Sequence, residues 1–329
     1  SNPAASDPNS YTLDWDEPHI TQLHRMVPRL GIRDGIVWVT TRTPQTESLL
    51  AGETVHWTGP ADPRDVGHVM ANARAVRSVL RRYDVSQAIS TGASLALSAL
   101  PQASMRGIPA YYIESATRTQ GPSRSGALLT LVPTVNLFTQ HQSWAGGRWR
   151  FAGSPFDVYD TETLDPSPLR RAVVTLGTQG KYGFRRALER IRQILPDDVE
   201  VLWQTGGTDA SGLGIDAREA VPYAELQHAV QHADVVITHA GTGAVLGALD
   251  AGQCPVVLPR RSCYGEHVDD HQLQTASEVG QRGLAVVRDP VQLSLSDIYG
   301  AAARRVVQRS RPPLLNLTGT ERPVPALAG

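Results

Sequence analysis

The 329-residue sequence predicts an α/β protein of two doubly wound, Rossmann-like domains facing each other across a cleft. Three observations predict it. Short apolar, β-branched runs alternate with amphipathic helical stretches along most of the chain, as in a parallel sheet with helices on its faces. That alternation breaks once, at 153–170, where Pro, Asp, Thr and Ser take over, and then starts afresh. In the second half, strand, glycine turn and helix follow one another through His239-Ala-Gly-Thr-Gly243, which aims free backbone N–H groups at an anion.

Residues 1–15 are polar and rich in Pro, Asn and Ser, and are expected as a flexible leader. The first domain is placed at 16–155. Its strands are expected at 35–40, 87–90, 110–114 and 134–139, and its helices at 64–82 and 94–104. Helix 64–82 puts Val66, Val69, Met70, Ala73, Val76 and Leu80 on one face. Arg74, Arg77, Arg81 and Arg82 then form a solvated face, with anionic lipid headgroups as the alternative contact. The second domain is placed at 168–311. Its strands are expected at 171–176, 199–204, 234–238, 255–259 and 283–287, and its helices at 182–195, 222–231, 243–251, 267–279 and 293–309. From Arg311 onward there are four prolines and little else to pack, so 312–329 is expected as a flexible tail.

Lysines and arginines number 31 against 32 aspartates and glutamates, a balance that argues against a nucleic-acid binder. Two cysteines make no disulfide framework; Cys254 is expected in the core and Cys263 in a loop. No apolar run approaches the ~18 residues of a membrane span, and no signal-peptide core opens the chain. A cytoplasmic protein is expected, with the inner face of the membrane as the other setting.

Three loops end strands of the second domain at the edge where open α/β sheets bind nucleotides. They are Gly177-Thr178 with its neighbours, Gln204-Thr-Gly-Gly207, and His239 to Gly243, where Gly241 and Gly243 permit close backbone approach and Thr242 caps the helix or donates to a phosphate. Asp270, His271 and Gln272 open a later helix, either as a turn enriched in polar groups by the helix dipole or as contacts to sugar hydroxyls. In the first domain, Glu114 is a base, an acceptor contact or a salt-bridge partner of Arg118. His19 is a base or a loop histidine. His267 and His271 have the i,i+4 spacing of a metal pair but no third ligand, so no metal is expected.

The stretch His239-Ala-Gly-Thr-Gly-Ala-Val-Leu-Gly-Ala-Leu-Asp-Ala-Gly252, with Val-Leu-Pro-Arg and Glu-His-Val-Asp-Asp-His-Gln272, resembles the C-terminal domain of family 28 glycosyltransferases. Trp38-Val-Thr-Thr-Arg-Thr-Pro-Gln-Thr-Glu47, Ser90-Thr-Gly-Ala-Ser94 and Tyr112-Ile-Glu-Ser-Ala-Thr-Arg118 resemble the acceptor-side subunit of a bipartite UDP-GlcNAc transferase. The chain is thus similar to a fusion of that transferase's two subunits, or of a bacterial exopolysaccharide glycosyltransferase pair. The resemblance implies a GT-B fold and an inverting, metal-independent transfer from a UDP-sugar to a lipid-linked or small glycan acceptor, by resemblance a polyprenyl-diphosphate-linked sugar in exopolysaccharide assembly. It also implies peripheral membrane contact through the first domain. The C-terminal turn with Gly177 and Thr178 would hold the diphosphate, and Gln272 would touch the donor sugar. No cofactor is implied. Two departures from the family pattern stand out. Asp16-Glu17-Pro18-His19 replaces a Gly-Gly-His loop, and Gly247 occupies the place of a ribose-binding Glu, with Asp250 one turn later. They keep a non-catalytic nucleotide- or partner-binding scaffold among the readings, beside a nucleotide-sugar epimerase.

Overall fold

The computed structural model describes residues 10–15, 17–32, 35–59, 66–165, 167–177, 182–268 and 270–317. The chain divides into two compact units, 1–155 with 313–329, and 156–312.

The first unit runs β1 (Ser10–Trp15), α1 (Glu17–Leu30), β2 (Ile36–Thr41), α2 (Pro44–Leu49), β3 (Thr54–Thr58), α3 (Val66–Arg82), β4 (Val85–Ser90), α4 (Ala93–Ser104), β5 (Ala110–Ile113), α5 (Arg124–Leu129), β6 (Val135–Thr139) and β7 (Trp149–Phe151). Its parallel sheet has the order β3-β2-β1-β4-β5-β6-β7, so the winding reverses between β1 and β4. The expectation of a leader over 1–15 is therefore corrected for 10–15. Tyr11-Thr-Leu-Asp-Trp15 lies between two strands and pairs with both, its aromatic and β-branched residues suited to a strand. On α3, Val76, Val79 and Leu80 are buried while Arg74, Arg77, Arg81 and Arg82 are exposed, as the helical spacing predicts.

The tail is corrected in the same way. Leu315 is buried in the core of the first unit with Ile20, Leu23 and Trp38. Its N–H donates to the Arg29 carbonyl at 2.7 Å, and Asn316 N–H donates to Ala152 O at 2.7 Å. Arg29, only 2% exposed, donates to Ser154 O at 2.8 Å and to Pro313 O at 3.0 Å. One buried guanidinium thus holds the carbonyls of both segments by which the chain leaves this unit and comes back. Charged donors of this kind satisfy buried carbonyls that would otherwise cost about 1–3 kcal/mol each.

The second unit runs β8 (Tyr159–Thr163), β9 (Arg171–Thr175), α6 (Arg185–Ile194), β10 (Glu200–Gln204), β11 (Ala217–Arg218), α7 (Tyr223–His232), β12 (Val235–His239), α8 (Thr242–Asp250), β13 (Val256–Leu258), α9 (His271–Gln281), β14 (Val286–Val287), α10 (Leu295–Ala302) and β15 (Arg304–Gln308). Its parallel sheet, β11-β10-β9-β12-β13-β14, reverses between β9 and β12. The single helix expected over 293–309 is two elements. A capping box at Ser294 and Asp297 starts α10, and the chain then turns into β15, which pairs antiparallel with β8 inside the expected linker. Val306 is buried beside Tyr159 and Leu249, an apolar partner that no local pattern announces. Cys254 is buried and Cys263 exposed, as expected, and burial raises the Cys254 thiol to about 11.

Glu114, 1% exposed, ends β5 and latches the first unit internally. It accepts from Ser123 N–H at 2.8 Å, Ser123 Oγ at 3.0 Å, Ser115 N–H at 3.1 Å and Tyr112 Oη at 3.3 Å. Burial raises its pKa against the pull of these donors. Ser123 in turn caps α5, and a Cβ on Gly126 of that helix would fall on Glu114 Oε2 and 3.0 Å from Trp149 Cη2. Gly126→Ala is expected to destabilise the protein by ~1–3 kcal/mol through this overpacking. A lowered denaturation midpoint for the variant checks it, and an unchanged one refutes the close approach.

Candidate functional site

The winding reversal between β9 and β12 brings two strand ends together, and the sequence puts a glycine turn on each. Leu176 and Gly177 follow β9; His239, Ala240 and Gly241 lead from β12 into α8. A Thr238 hydroxyl bond to Thr175 O at 3.0 Å ties the two strands just below the turns.

The imidazole of His239 lies between the two glycines. A Cβ on Gly177 would stand 2.9 Å from its Cε1, and a Cβ on Gly241 would fall on its Nε2. Gly177 also has φ +81°, a conformation that side chains rarely adopt. Gly241 has φ −71°, open to any residue, so its requirement is the ring and not the backbone. Gly243 is exposed, with open space where its Cβ would be. The first helical bond of α8 is Val245 N–H to Gly241 O, and no side chain caps the helix. The amides of Thr242, Gly243 and Ala244 precede that bond and point out of the helix end.

His239 is held neutral, with its pKa lowered to about 4. Burial is the main cause, followed by the positive charge of Arg260, with His267 and His271 adding to it and the Thr175 carbonyl opposing. Its Nδ1 is buried without a hydrogen-bond partner of good geometry among the described residues.

Several side chains expected at a ligand have protein partners instead. Thr242 does not cap α8; its hydroxyl meets Thr275 Oγ1 of α9 at 3.3 Å. Gln204, buried, donates to Thr175 Oγ1 at 2.9 Å and accepts from Val221 N–H at 3.0 Å, pinning β10 to β9 and to the segment after β11. Asp270 accepts from both the N–H and the hydroxyl of Ser262, at 2.8 and 2.9 Å. Gln272, buried, accepts the Arg260 N–H at 3.1 Å. Asp250 accepts from Tyr159 Oη at 2.6 Å. His271 begins α9 while His267 precedes it, so the pair does not share a helix face; the rings meet edge to face at 4.5 Å, and Tyr182 stacks on His267 at 5.9 Å. Thr178 lies outside the described residues. His19 falls in the first turn of α1, after β1, and its side chain also lies outside what is described. Glu114, expected as a base, an acceptor contact or a salt-bridge partner of Arg118, is buried, and its carboxylate accepts from four donors of its own unit.

Arg260 was not singled out by the sequence. It follows the apolar strand and Pro259, and an arginine at that place was the available signal. It is 5% exposed and donates to Leu176 O at 2.6 Å and to Tyr182 O at 3.2 Å. Nearby, Arg186 grips the buried carboxylate of Glu266 with two bonds, at 2.9 and 3.1 Å, and Glu266 accepts the Arg261 N–H at 3.0 Å. The loop after β13 is therefore fixed by charge-assisted bonds at both ends.

Two outcomes are expected. Gly241→Ala should destabilise the second unit, and most of that cost should vanish when His239→Ala is also present, a coupling of ~0.5–3 kcal/mol by denaturant titration; additive costs would show that the ring is not the obstacle. A histidine that folds neutral loses stability to the unfolded chain as the pH falls. The contribution of His239 should be complete above ~6.5 and decline down to about 4. Melting temperatures of wild type and His239→Ala across that range should converge toward the acid end.

A family model for the glycosyltransferase family 28 C-terminal domain matches residues 171–293, which contain both glycine turns, Arg260 and Gln272. The chain is 26% identical over 235 residues to a Prochlorococcus marinus UDP-N-acetylglucosamine--N-acetylmuramyl-(pentapeptide) pyrophosphoryl-undecaprenol N-acetylglucosamine transferase, across 67% of this chain and 62% of that protein. The match thus spans less than two thirds of the relative's length. Among solved structures, the UDP-GlcNAc 2-epimerase from Methanocaldococcus jannaschii superposes with a TM-score of 0.56 at 12% identity, covering 95% of each chain. The glycotransferase of kitacinnamycin does so with a TM-score of 0.50 at 17% identity, covering 89% of this chain and 88% of that one. These two likenesses concern fold alone. The fold is of the GT-B class, and residues 171–293 match the C-terminal domain of glycosyltransferase family 28.

Proposed function

We propose that this chain is an inverting, metal-independent hexosyltransferase that moves a sugar from a UDP-sugar to a polyprenyl-diphosphate-linked acceptor. The observation that carries the reading is the turn from His239 to Gly243. Uncapped amides at a helix N-terminus, a neutral imidazole and a nearby buried arginine meet at the winding reversal of a family 28 domain. As the bond from the anomeric carbon to the diphosphate breaks, negative charge grows on the leaving UDP, and donors already aimed at it lower the barrier without reorganising. The acceptor hydroxyl attacks from the opposite face and gives up its proton to a base, a role left to His19.

The named relative acts on an N-acetylmuramyl-pyrophosphoryl-undecaprenol. We take its acceptor class for this chain, which favours a peptidoglycan-type lipid over the exopolysaccharide acceptor suggested by the sequence. No helix among the described residues is long and apolar enough to cross a membrane. A lipid-borne acceptor then calls for peripheral contact at the cytoplasmic face, for which the first unit offers exposed Met105, Leu128 and Leu131 and the arginines of α3.

Incubation of the full chain with UDP-sugars and a polyprenyl-diphosphate-linked muramyl acceptor should yield a glycosylated lipid of inverted anomeric configuration. Epimerised donor without transfer, or UDP binding without turnover, would instead support the epimerase or the scaffold. A Cβ on Gly247 would meet only Gln227 Nε2, at 3.9 Å, an ordinary contact. Gly247→Glu should tighten UDP binding about tenfold and favour it over 2′-deoxy-UDP, because a carboxylate can accept two ribose hydroxyl bonds. Calorimetric titration with both nucleotides tests this, and equal affinities in variant and wild type would place residue 247 away from the ribose.

A further inference from the structure

Arg260 is a cation in an interior setting, and three features distinguish it from a structural arginine paired with a carboxylate. Its side chain donates to two main-chain carbonyls, Leu176 O and Tyr182 O. One planar group thus holds the carbonyl just after β9, next to Gly177, together with that of Tyr182. Its Nε is buried and has no hydrogen-bond partner among the described residues, while the guanidinium packs 5.5 Å from the centre of the Phe184 ring. The nearest carboxylate acting on it, Glu266, is itself engaged by Arg186 and by the Arg261 amide. Burial lowers the pKa of Arg260, yet a guanidinium starts so high that it stays charged. The protein thus keeps an incompletely neutralised positive charge at the foot of both glycine turns, an arrangement that is costly unless an anion comes to share it.

We propose that Arg260 is the positioning residue of the diphosphate site, holding Leu176, just after β9, beside the His239–Gly243 turn and supplying the buried positive charge against which the bound diphosphate is balanced. This rests on the reading of that turn as a nucleoside diphosphate site. Two couplings connect the arginine to the second turn. Its charge is one of the causes that keep His239 neutral, beside those of His267 and His271 and opposed by the Thr175 carbonyl. Its own N–H is held by Gln272 of α9, whose neighbour Thr275 meets Thr242. Lysine can replace the charge but not the fork, because one ammonium on a flexible stem cannot hold two carbonyls in a fixed plane.

The test uses the full chain as wild type, Arg260→Gln and Arg260→Lys. UDP affinity is measured by calorimetry, and the His239 titration by NMR of its ring Cε1–H, assigned with His239→Ala. Arg260→Gln should weaken UDP binding about tenfold or more and move the His239 midpoint upward from about 4. Arg260→Lys should keep the low midpoint while binding UDP several-fold more weakly. Wild-type UDP affinity in either folded variant overturns the proposal, as does an unmoved His239 midpoint in Arg260→Gln. Should Arg260→Gln fail to fold, the affinity of Arg260→Lys decides alone. Should wild type bind no UDP, the functional reading falls, and an unmoved His239 midpoint in Arg260→Gln would then overturn the link to the turn separately.

Discussion

The second unit is organised around one contact: the His239 imidazole, lodged between Gly177 and Gly241 where the sheet winding reverses. Each glycine is required because the ring fills the space its side chain would need. The ring in turn is neutral because it is buried beside a cation, and a neutral ring is what can sit between two turns without repelling the arginine beneath them. Removing the ring would free Gly241 from its constraint, leave Gly177 held to glycine by its φ of +81° alone, and take away the group that spaces the two turns. The separation of the turns, and so the breadth of the amide-lined space between them, depends on it.

Around that contact the unit spends polar side chains on rigidity. Gln204, Thr242, Asp270 and Gln272 are residues that chemistry would choose for ligand contacts, yet each is bonded to another part of the protein. Their effect is to fix four loops relative to one sheet edge. A site whose donors act on a developing charge gains from such stiffness, since donors that must move lose part of their effect to reorganisation. The first unit shows the same economy at Glu114, where a carboxylate at a strand end organises a loop and a helix start.

Much of the fold was legible because burial on both faces leaves plain apolar runs, as in Val173-Val-Thr-Leu176 and Val235-Val-Ile-Thr238. What escaped depended on distant partners. β1 takes its form from strands on either side, and β8 and β15 pair across more than half of their unit's length. Leu315 is buried because residues far off in the sequence, Ile20, Leu23 and Trp38, form the core it enters, with the Arg29 carbonyl accepting its N–H. The site was legible where glycine spacing marked it, at Gly177 and at His239 to Gly243. It was ambiguous where a polar residue at a strand end could equally serve the protein, because sequence does not distinguish a donor awaiting a ligand from one already engaged. Arg260 escaped for the converse reason: an arginine after a strand is ordinarily a surface residue, and only its burial reveals otherwise.

The grip of Arg29 on Ser154 and Pro313 has a bearing on how such a protein can be divided. Residues 313–317 belong to the first unit although they follow the second in the chain. If the polypeptide were cut in the stretch after Ser154, the downstream fragment would still carry at its far end a short peptide whose binding groove lies on the upstream fragment. Two separately made halves would then possess a ready means of finding each other, with Leu315 as the plug and Arg29 as the clasp. The first unit is thus completed by a peptide that the chain supplies only after the second unit has been made.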